Sequence, residues 1–208
     1  MARYGMVIDV KRCVACSTCV TGCKIENNLP QNVWWNRVVN EGGENPDSPS
    51  GTYAKGDLAM ASYTMSCQHC GNAACVDVCP SGATWKDEET GIVLNDTDKC
   101  IGCGMCIEAC PYDVRVLLEE EPVFYADFGF GAQGTLKHIA GTVGKCQLCH
   151  HRVKDGEVPF CVEVCPGRAR IFGDLDDPSS EIAKLVAEGD LEQLRPEAGT
   201  DPHVYLMR

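Results

Sequence analysis

The sequence lacks any long apolar run and has few aromatic residues, and both absences limit how it can fold. Its longest apolar stretches, such as VRVLL, are only a handful of residues, whereas a transmembrane helix needs about 20. The 208 residues include only five Phe, three Trp and six Tyr, so the aromatic core must be thin. We therefore expect no membrane span, and we expect something other than hydrophobic burial to help hold the fold together.

The sequence also lacks an export signal and an excess of basic residues. The opening stretch MARYGMVIDVKRC contains no apolar segment of signal-peptide length and no twin-arginine pair. Lys and Arg number 18 against 30 Asp and Glu, which gives a formal net charge of −12. An acidic surface of this kind is unsuited to nucleic acid and to anionic lipid, so we expect neither as a partner.

Cysteine, by contrast, is abundant, and its positions fall into four runs. The chain has 16 cysteines, and without an export signal such a number favours metal binding over disulfides. Every cysteine belongs to a run, and none is left over. The runs comprise Cys13, Cys16, Cys19 and Cys23; Cys67, Cys70, Cys75 and Cys79; Cys100, Cys103, Cys106 and Cys110; and Cys146, Cys149, Cys161 and Cys165.

The four runs alternate between two types, which indicates an internal duplication. The first and third, CVACSTCVTGC and CIGCGMCIEAC, share the spacing C-x2-C-x2-C-x3-C. The second and fourth both begin CQxC and end CVxVCP. A single pair of run types is therefore repeated along the chain.

Disulfides, zinc and iron–sulfur clusters are the three kinds of site that compete for these cysteines. Disulfides suit an even number of cysteines but not the expected compartment. Zinc prefers two CxxC pairs set well apart, whereas the first and third runs crowd three cysteines into seven residues. Their spacing is that of bacterial ferredoxins, in which the last cysteine of a run binds the other cluster of a pair. Four such runs predict four [4Fe–4S] clusters.

The residues that follow each run differ in one place. Pro80, Pro111 and Pro166 come directly after three of the runs, and each is expected to turn the chain away from its cluster. Lys24 takes this position after the first run. There a short helix is expected to continue until Leu29 and Pro30 stop it.

The order of the runs and the lengths of the linkers favour different pairings. The alternating order favours pairing the first run with the second and the third with the fourth. However, only 20 residues, 80–99, join the second and third runs, whereas 43 residues separate the first from the second and 35 separate the third from the fourth. The second and third runs therefore form the compact ferredoxin-like unit, and the first and fourth meet across it.

The whole pattern resembles the iron–sulfur subunit of the dimethyl sulfoxide reductase family of molybdopterin oxidoreductases. It is most similar to the group with polysulfide, thiosulfate and respiratory arsenate reductase subunits. The resemblance is carried by CVACSTCVTGCKIENNLP, CQHCGNAACVDVCPSGA, CIGCGMCIEACPYDVR, CVEVCPGRARIFGDLDDPSSEIAKL and the tail LRPEAGTDPHVYL. It covers nearly all of the chain except residues 119–144.

The resemblance implies an α+β fold of two nested bacterial-ferredoxin-like dicluster modules, with short strands, loops and a C-terminal helix. Residues 1–208 would form one compact unit. The outer module would comprise residues 1–30 with 140–208, and the inner module residues 60–118. Residues 31–59 and 119–139 would be connecting inserts.

The resemblance also implies how the cysteines are shared among four clusters, here called sets 1 to 4. Some relatives replace a cysteine of the third run and carry a three-iron cluster, but all four are present here, so four cubanes are expected. Set 1 would be Cys13, Cys16, Cys19 and Cys165; set 2 would be Cys23, Cys146, Cys149 and Cys161; set 3 would be Cys67, Cys70, Cys75 and Cys110; and set 4 would be Cys79, Cys100, Cys103 and Cys106.

The function implied is electron transfer without catalysis by this chain. Such a subunit relays single electrons through its clusters to or from a large catalytic subunit, which alone carries a molybdenum or tungsten bis-pterin, and a membrane anchor often links it to quinone. If the large subunit has a twin-arginine signal, the pair would be exported together to the outer face of the cytoplasmic membrane; otherwise it would stay in the cytoplasm. No nucleophile–base constellation or paired carboxylates suggest catalysis here.

A second class of function shares the same cysteine runs. The chain could be a freestanding polyferredoxin, or a relay in a hydrogenase or formate-linked complex. The segment GRARIFGDLDDP and the tail favour the molybdopterin family.

Several secondary-structure elements can be predicted from local patterns. YGMVIDV and PHVYLM read as strands, and ATWKDEETGIVLND reads as a hairpin that turns near Glu89–Gly91. The segment PSSEIAKLVAEG predicts a helix with Asp177 as its cap, Pro178 in its first position and Gly189 at its end. Residues 41–51 form a loop rich in Gly, Pro, Asn and Asp.

The remaining features have structural interpretations. Residues 119–144 are either a flexible or partner-contacting insert or a self-packed loop. Trp34 and Trp35 are expected in the core or at an interface. The histidines are not required as ligands, and His69 is expected to hydrogen-bond near a cluster. The five histidines are His69, His138, His150, His151 and His203.

Overall fold

Short strands and helices alternate with cysteine-bearing loops in the computed structural model, which describes residues 2–42 and 48–208. The strands are β1 Tyr4–Asp9, β2 Arg37–Asn40, β3 Ser62–Met65, β4 Thr84–Lys86, β5 Val93–Asn95, β6 Val116–Leu118, β7 Thr142–Gly144, β8 Arg170–Asp174, β9 Glu192–Gln193 and β10 Val204–Met207. The helices are α1 Thr18–Glu26, α2 Ala74–Asp77, α3 Met105–Glu108, α4 His150–Lys154, α5 Phe160–Glu163 and α6 Glu181–Glu188, with 3-10 turns at Tyr53–Lys55 and Pro196–Ala198. The predicted α+β class is confirmed.

A four-stranded sheet in the order β8-β1-β10-β9 ties the two ends of the chain together. β1 pairs parallel with β10 and antiparallel with β8, so that Met6 lies opposite both Val204 and Phe172. Side chains alternate between the two faces of the sheet, as strand geometry requires. Met6 and Val204 enter one core cluster while Val7 and Tyr205 enter another, beside α6. The strands predicted at both ends of the sequence are confirmed.

The helix α6 forms within the predicted segment, but its start and its cap were assigned wrongly, since it begins at Glu181 and not at Pro178. Ser180 is the N-cap, and its hydroxyl accepts a hydrogen bond from the Ala183 amide at 3.2 Å. The Asp177 carboxylate instead accepts from the Ser179 amide at 2.8 Å and closes the preceding turn. Asp and Ser are similarly good N-cap residues. Where a sequence contains both, the geometry of the preceding turn decides which of them caps the helix. Gly189 ends the helix with φ 81, as predicted.

Three two-stranded ribbons complete the sheet structure: β2 with β3, β4 with β5 and β6 with β7. The β4–β5 ribbon is the predicted hairpin, and its turn falls at residues 88–90, where it was expected. Of the loop predicted over residues 41–51, residues 43–47 lie outside the described part of the chain. The turns predicted after Pro80, Pro111 and Pro166 are present.

The helices that carry cysteines pack in two pairs. α1 contacts α5, and α2 contacts α3. Gly22 makes the first contact possible, since a Cβ at this position would meet Val164 at 3.0 Å and the Phe160 ring at 3.3 Å. The first cysteine run therefore lies against the fourth, and the second lies against the third. The exact module boundaries remain a prediction.

Residues 119–144 pack along the end of α1 and the segment that follows it. The Val123 carbonyl accepts from the Gln31 amide at 2.8 Å, and the Ala132 amide donates to the Glu26 carbonyl at 2.9 Å. The interpretation as a self-packed loop therefore describes its backbone. Several of its apolar side chains are nevertheless exposed, including Tyr125, Phe128 and Phe130.

Lys24 explains why no proline follows the first run. It continues α1 past the last cysteine of the run, as predicted, although the helix ends at Glu26, three residues before Leu29. Its buried ammonium group donates to three backbone carbonyls, those of Pro30, Gln31 and Val33, at 2.8, 2.9 and 3.0 Å. It also lies 3.9 Å from the centre of the Trp34 ring. A lysine has three donors, and here the three carbonyls accept all of them. Trp35 beside it is buried in the core.

We expect Lys24→Met to destabilise the protein because it leaves buried carbonyls without donors. Hydrogen bonds to a charged group each contribute about 1.5–3 kcal/mol, and in a chain of this size a loss of about 2 kcal/mol lowers the unfolding midpoint by roughly 5 °C. The measurement is thermal bleaching of the visible absorbance of anaerobically prepared protein. Lys55→Met, at an exposed lysine, is the matched control. Equal midpoints for the two variants would contradict the role given to Lys24.

Candidate metal centres

Each cysteine run ends in a pair of cysteines four residues apart, and a helical turn separates the members of each pair. The third cysteine lies within α1, α2, α3 or α5, and the fourth comes at the end of that turn or just beyond it. Side chains at i and i+4 lie one above the other on a helix, so each pair presents two thiols along one face. The pairs are Cys19 and Cys23, Cys75 and Cys79, Cys106 and Cys110, and Cys161 and Cys165.

Each CxxC segment contains a residue with left-handed backbone conformation just before its second cysteine. These residues are Ala15, His69, Gly102 and Leu148, with φ between 46 and 68. Only Gly102 adopts this conformation at no steric cost. His69 and Leu148 adopt it despite their larger side chains. A non-glycine residue here costs of order 1 kcal/mol, which the binding of a metal centre can offset.

One cavity gathers the cysteines of set 1. Its lining includes all four of them, three from the first run and one from the end of the fourth. The Arg170 side chain completes the wall. The contact between α1 and α5 brings these distant segments together. The set 1 residues are Cys13, Cys16, Cys19 and Cys165.

A second cavity gathers the cysteines of set 3 in the same way. Three come from the second run and one from the end of the third, and Arg115 lies in the wall. Tyr112 also lines this cavity, and its hydroxyl lies 2.6 Å from that of Thr200. The set 3 residues are Cys67, Cys70, Cys75 and Cys110.

The members of set 2 and most of set 4 lie close enough to influence one another's ionisation. The pKa of Cys23 is raised well above its usual value, first by burial and then by the charges of its three partners in set 2, Cys146, Cys149 and Cys161. Burial also raises the pKa of Cys106, to which Cys100 and Cys79 contribute. Cys103 is exposed.

Burial opposes ionisation at most of these thiols. It raises the pKa of Cys70 and of Cys146 to about 12. Cys67 is the exception: burial raises its pKa, but the charges of His69 and Lys145 outweigh this and lower it to about 5. Thiolate ligation inside this protein therefore needs positive charge, from a metal centre or from neighbouring cations.

Backbone amides point at four of the cysteine sulfurs. Thr84 N–H donates to Cys79 and Val143 N–H to Cys100, each at 3.4 Å. Leu148 and Ala169 donate to Cys146 and Cys165, each at 3.3 Å. Amide hydrogen bonds to the sulfurs are among the features that set the reduction potential of an iron–sulfur cluster.

Three buried cations lie among the cysteines without a carboxylate partner. Arg115 is 5% exposed, Lys145 0% and Arg170 5%, and within residues 2–42 and 48–208 none of them forms an ion pair with Asp or Glu. The Arg115 Nη2 atom has no hydrogen-bond partner at all in that part of the chain. Buried cations need buried anions, so these residues fit anionic clusters held by thiolates. Sequence reasoning missed all three.

The arginines did leave a signal in the sequence. Arg115 and Arg170 each stand five residues after the last cysteine of a run, in the pattern C-P-x3-R. Lys145 directly precedes the fourth run, but Arg12 and Lys99 precede the first and third runs in the same way and are exposed. Only the fold distinguishes the buried lysine from these two exposed residues.

The arrangement suits cubanes better than single metal ions. Among the described residues, no three Cys, His, Asp or Glu side chains come close enough to hold one ion. A structural zinc needs four ligands at one tetrahedron, whereas each cysteine of a cubane binds a different iron and stands apart from the others. The cysteine sets can therefore accommodate [4Fe–4S] clusters.

The histidines have other neighbours. His138 contacts the Asn27 carbonyl at 3.0 Å, and His151 contacts Glu26 at 2.9 Å. His150 lies 3.7 Å from Asp87. His69 is buried beside Cys67, and the hydrogen bond expected of it near a cluster stays a prediction. The His203 ring is buried and forms no hydrogen bond in the described residues, and its Nε2 atom lies 4.0 Å from Asp201.

Known proteins share this pattern. The model of the 4Fe–4S dicluster domain family matches residues 58–124 and 135–175. The chain belongs to this family. A Halobacterium salinarum protein provisionally named as an iron–sulfur subunit of dimethyl sulfoxide reductase is 48% identical, with 99% of this chain and 79% of that protein covered.

Two further relatives of this chain carry similar names. The arsenate respiratory reductase iron–sulfur subunit of Shewanella sp. strain ANA-3 is 35% identical, with 99% of this chain and 96% of the relative covered. A tetrathionate reductase subunit of Salmonella typhimurium is 36% identical, with 99% and 72% covered. This chain is thus an iron–sulfur, electron-transfer subunit of a reductase complex and not its catalytic subunit. No helix in the described residues has the length and apolar character to cross a bilayer.

We expect anaerobically purified protein to contain about 16 iron and about 16 acid-labile sulfide per chain, because four cubanes take four of each. The measurement is metal analysis together with a sulfide assay on the same sample. Zinc at two to four per chain with little iron would contradict this. Removal of the iron by a chelator should also unfold the chain, since cluster bonds replace much of a hydrophobic core.

Proposed function

We propose that sets 1 to 4 each hold one [4Fe–4S] cluster, in that order along a line, and that the chain relays single electrons between a large molybdopterin subunit and a second redox partner. Bound clusters supply the one-electron chemistry. The residues of this chain hold them in order, bury them and shape their electrostatic surroundings. The exposed cysteines at the two ends of this line are the observation that carries the proposal.

The order of the sets follows from which cysteines are neighbours. In α1 and α5 the paired cysteines, four residues apart, join set 1 to set 2, and in α2 and α3 they join set 3 to set 4. Set 2 meets set 3 through Cys146, whose pKa is raised first by burial and then by the charge of Cys67. These contacts support a single line of four sets and no other order.

The two ends of the line are the places where sulfur reaches the surface. All 16 cysteines lie in the described residues, and Cys16 of set 1 and Cys103 of set 4 are the two exposed ones. Beside them stand Val14 and Ile101, which are 70% and 67% exposed. An exposed ligand with an apolar neighbour suits transfer to a docked protein, and having one at each end suits two different partners.

A large catalytic subunit is the first of these partners. The relatives named above are subunits of dimethyl sulfoxide, arsenate and tetrathionate reductases, and this chain offers no catalytic constellation of its own. By its resemblance to the dimethyl sulfoxide reductase family, the partner would carry the molybdenum or tungsten bis-pterin and bind the substrate. The second partner would be a quinone-linked membrane anchor or another redox protein.

Exposed aromatic residues fit such an assembly. The rings of Phe128 and Phe130 lie 4.9 Å apart, and they are 62% and 50% exposed. Val123 and Tyr125 nearby are 61% and 59% exposed. Aromatic residues are enriched at protein interfaces, and contiguous exposed apolar surface commonly marks one. The insert at 119–134 thus offers a surface for a partner subunit.

We expect Cys23→Ser to damage the cluster of set 2 and to spare that of set 1, although Cys23 lies in the same run as the three set 1 cysteines. The reason is the crossed arrangement, in which Cys23 joins Cys146, Cys149 and Cys161. The measurement is iron content together with electron paramagnetic resonance of the reduced protein, which should show one altered cluster. Cys19→Ser is the matched variant in the same helix, and it should alter a different cluster. If both substitutions alter the same cluster, the crossed arrangement is wrong.

We expect the chain to purify from its native host in a stable complex with a large subunit that contains molybdenum or tungsten. The purification would be anaerobic, and the readouts are sizing chromatography and metal analysis of the complex. A chain that runs alone, with no large partner and neither metal, would favour a freestanding polyferredoxin.

The same complex decides the location. If the large subunit carries a twin-arginine signal, both chains should appear in the fraction outside the cytoplasmic membrane, because the folded partner is carried across with it. If it lacks the signal, both should remain with the cytoplasm. Finding the two chains on opposite sides of the membrane would overturn this co-export.

A further inference from the structure

We propose that the buried charges of Arg170, Lys145 and Arg115 raise the reduction potentials of the clusters on either side of them. One of these cations lies in each of the three gaps between neighbouring sets. The inference deepens the proposed relay and rests on its four sets. It assigns a role to three buried side chains that bind no metal.

Arg170 lies between set 1 and set 2. It stands in the wall of the set 1 cavity, and its Nη1 atom donates to Cys161 of set 2 at 3.3 Å. The positive charge of Arg170 interacts with Cys161, Cys19 and Cys146, which belong to these two sets. Its remaining contacts are neutral acceptors, namely Asn36, Thr64 and the Met6 sulfur.

Arg115 occupies the corresponding place between set 3 and set 4. It stands in the wall of the set 3 cavity, and its charge interacts with Cys75 and Cys67 of set 3 and with Cys106 of set 4. One guanidinium nitrogen donates to the Thr84 hydroxyl at 3.2 Å. The Nη2 nitrogen has no hydrogen-bond partner in the described residues.

Lys145 fills the middle gap, between set 2 and set 3. Its ammonium group donates to the carbonyl of Cys146 in set 2 at 2.9 Å, and also to that of Val93. Val93 lines the set 3 cavity, and the charge of Lys145 interacts with Cys67 and Cys75 of set 3 as well as with Cys146. Lys145 is the most completely buried of the three cations.

The two arginines occupy equivalent positions in the two proposed modules, each after the later of the module's two runs, whereas the lysine has no equivalent. Arg115 and Arg170 both follow a final cysteine by five residues. Each arginine therefore lies between the two cysteine sets of its own proposed module. Lys145 lies where the two modules meet.

A buried positive charge favours the reduced form of a nearby cluster. A cubane held by four thiolates is anionic and gains a further negative charge on reduction. In the protein interior charges are weakly screened, and net charge near a cluster is one determinant of its potential. Each cation therefore raises the potentials of both flanking clusters. Sets 2 and 3 have a cation on two sides, and sets 1 and 4 have one.

The test is a redox titration of the intact, purified complex, followed by electron paramagnetic resonance, with iron content measured on each sample. The variants are Arg170→Gln, Lys145→Gln and Arg115→Gln, since glutamine keeps hydrogen-bond donors but removes the charge. Met variants at the same positions, and the charge-preserving Arg170→Lys, Lys145→Arg and Arg115→Lys, complete the series.

We expect each neutral variant to lower two of the four midpoint potentials in this chain and to leave the other two unchanged. A tenfold fall in the equilibrium constant for reduction corresponds to about 59 mV for one electron. The two clusters whose potentials change in one variant should overlap in a fixed way with the two that change in another. Arg170→Gln and Lys145→Gln share one affected cluster, Lys145→Gln and Arg115→Gln share one, and Arg170→Gln and Arg115→Gln share none.

Lys99→Met is the matched control. Lys99 directly precedes Cys100, as Lys145 precedes Cys146, but its side chain is 63% exposed and pairs with Asp96 at 3.5 Å. An exposed charge is screened by water and salt, so this variant should leave all four potentials unchanged. This control tests whether a change in potential comes from the burial of a charge between two sets or only from its place next to a cysteine in the sequence.

The proposed role is overturned if a Gln variant retains its iron and all four potentials. It is also overturned if all four move together, if Lys99→Met moves them as far as Lys145→Gln does, or if both neutral variants lose iron while the charge-preserving one retains it, since that marks a structural role alone. Fewer than four clusters in the wild-type protein would instead refute the proposed sets, before any variant is compared.

Discussion

The need to keep anionic sulfur centres inside a small protein governs most of this structure. Sixteen cysteines are enclosed in 208 residues, and an isolated buried charge is strongly unfavourable. The chain responds with amides directed at sulfur and with three cations buried among the cysteines, which, like the buried Lys24, have no carboxylate partner in the described residues. Other cations pair with acids nearer the surface, as Arg152 does with Glu163. Positive charge is thus divided between a cluster-facing interior and an acidic exterior.

The same need explains the topology. A cysteine pair at i and i+4 can serve two centres only if a second helix supplies the missing ligands from the other side, and in the proposed arrangement α5, which contacts α1, and α3, which contacts α2, would do this. The first and last runs can meet only if the ends of the chain meet. The parallel pairing of β1 with β10 and the antiparallel pairing of β1 with β8 hold those ends together. Hydrophobic packing around Met6 and Val7 supports these contacts on both faces of the sheet.

Patterns that depend on neighbours in sequence were predicted well, and patterns that depend on distant contacts were not. The end strands, the β4–β5 hairpin and the extension of α1 past Cys23 follow from alternation, turn residues and helix-ending signals. The Ser180 cap was missed because Asp177 offers an equally good local candidate. Lys24 could be placed in a helix, but its three carbonyl acceptors at Pro30, Gln31 and Val33 depend on how the following loop folds back. The left-handed conformation of Leu148 could not be predicted either, since no residue type in the local sequence favours it.

The buried cations show most clearly where sequence reasoning stops. Arg115 and Arg170 follow runs of different types, but both end the pattern C-P-x3-R, so they could be recognised once the ends of the third and fourth runs were aligned. Lys145 has no copy, because the junction between two modules occurs only once. In sequence it resembles Arg12 and Lys99, each of which also precedes a run. Its burial depends on the Val93 and Cys146 carbonyls, which come from distant parts of the chain and both accept hydrogen bonds from its ammonium group. The charge where the two proposed modules meet is therefore set by a distant contact and not by a local pattern.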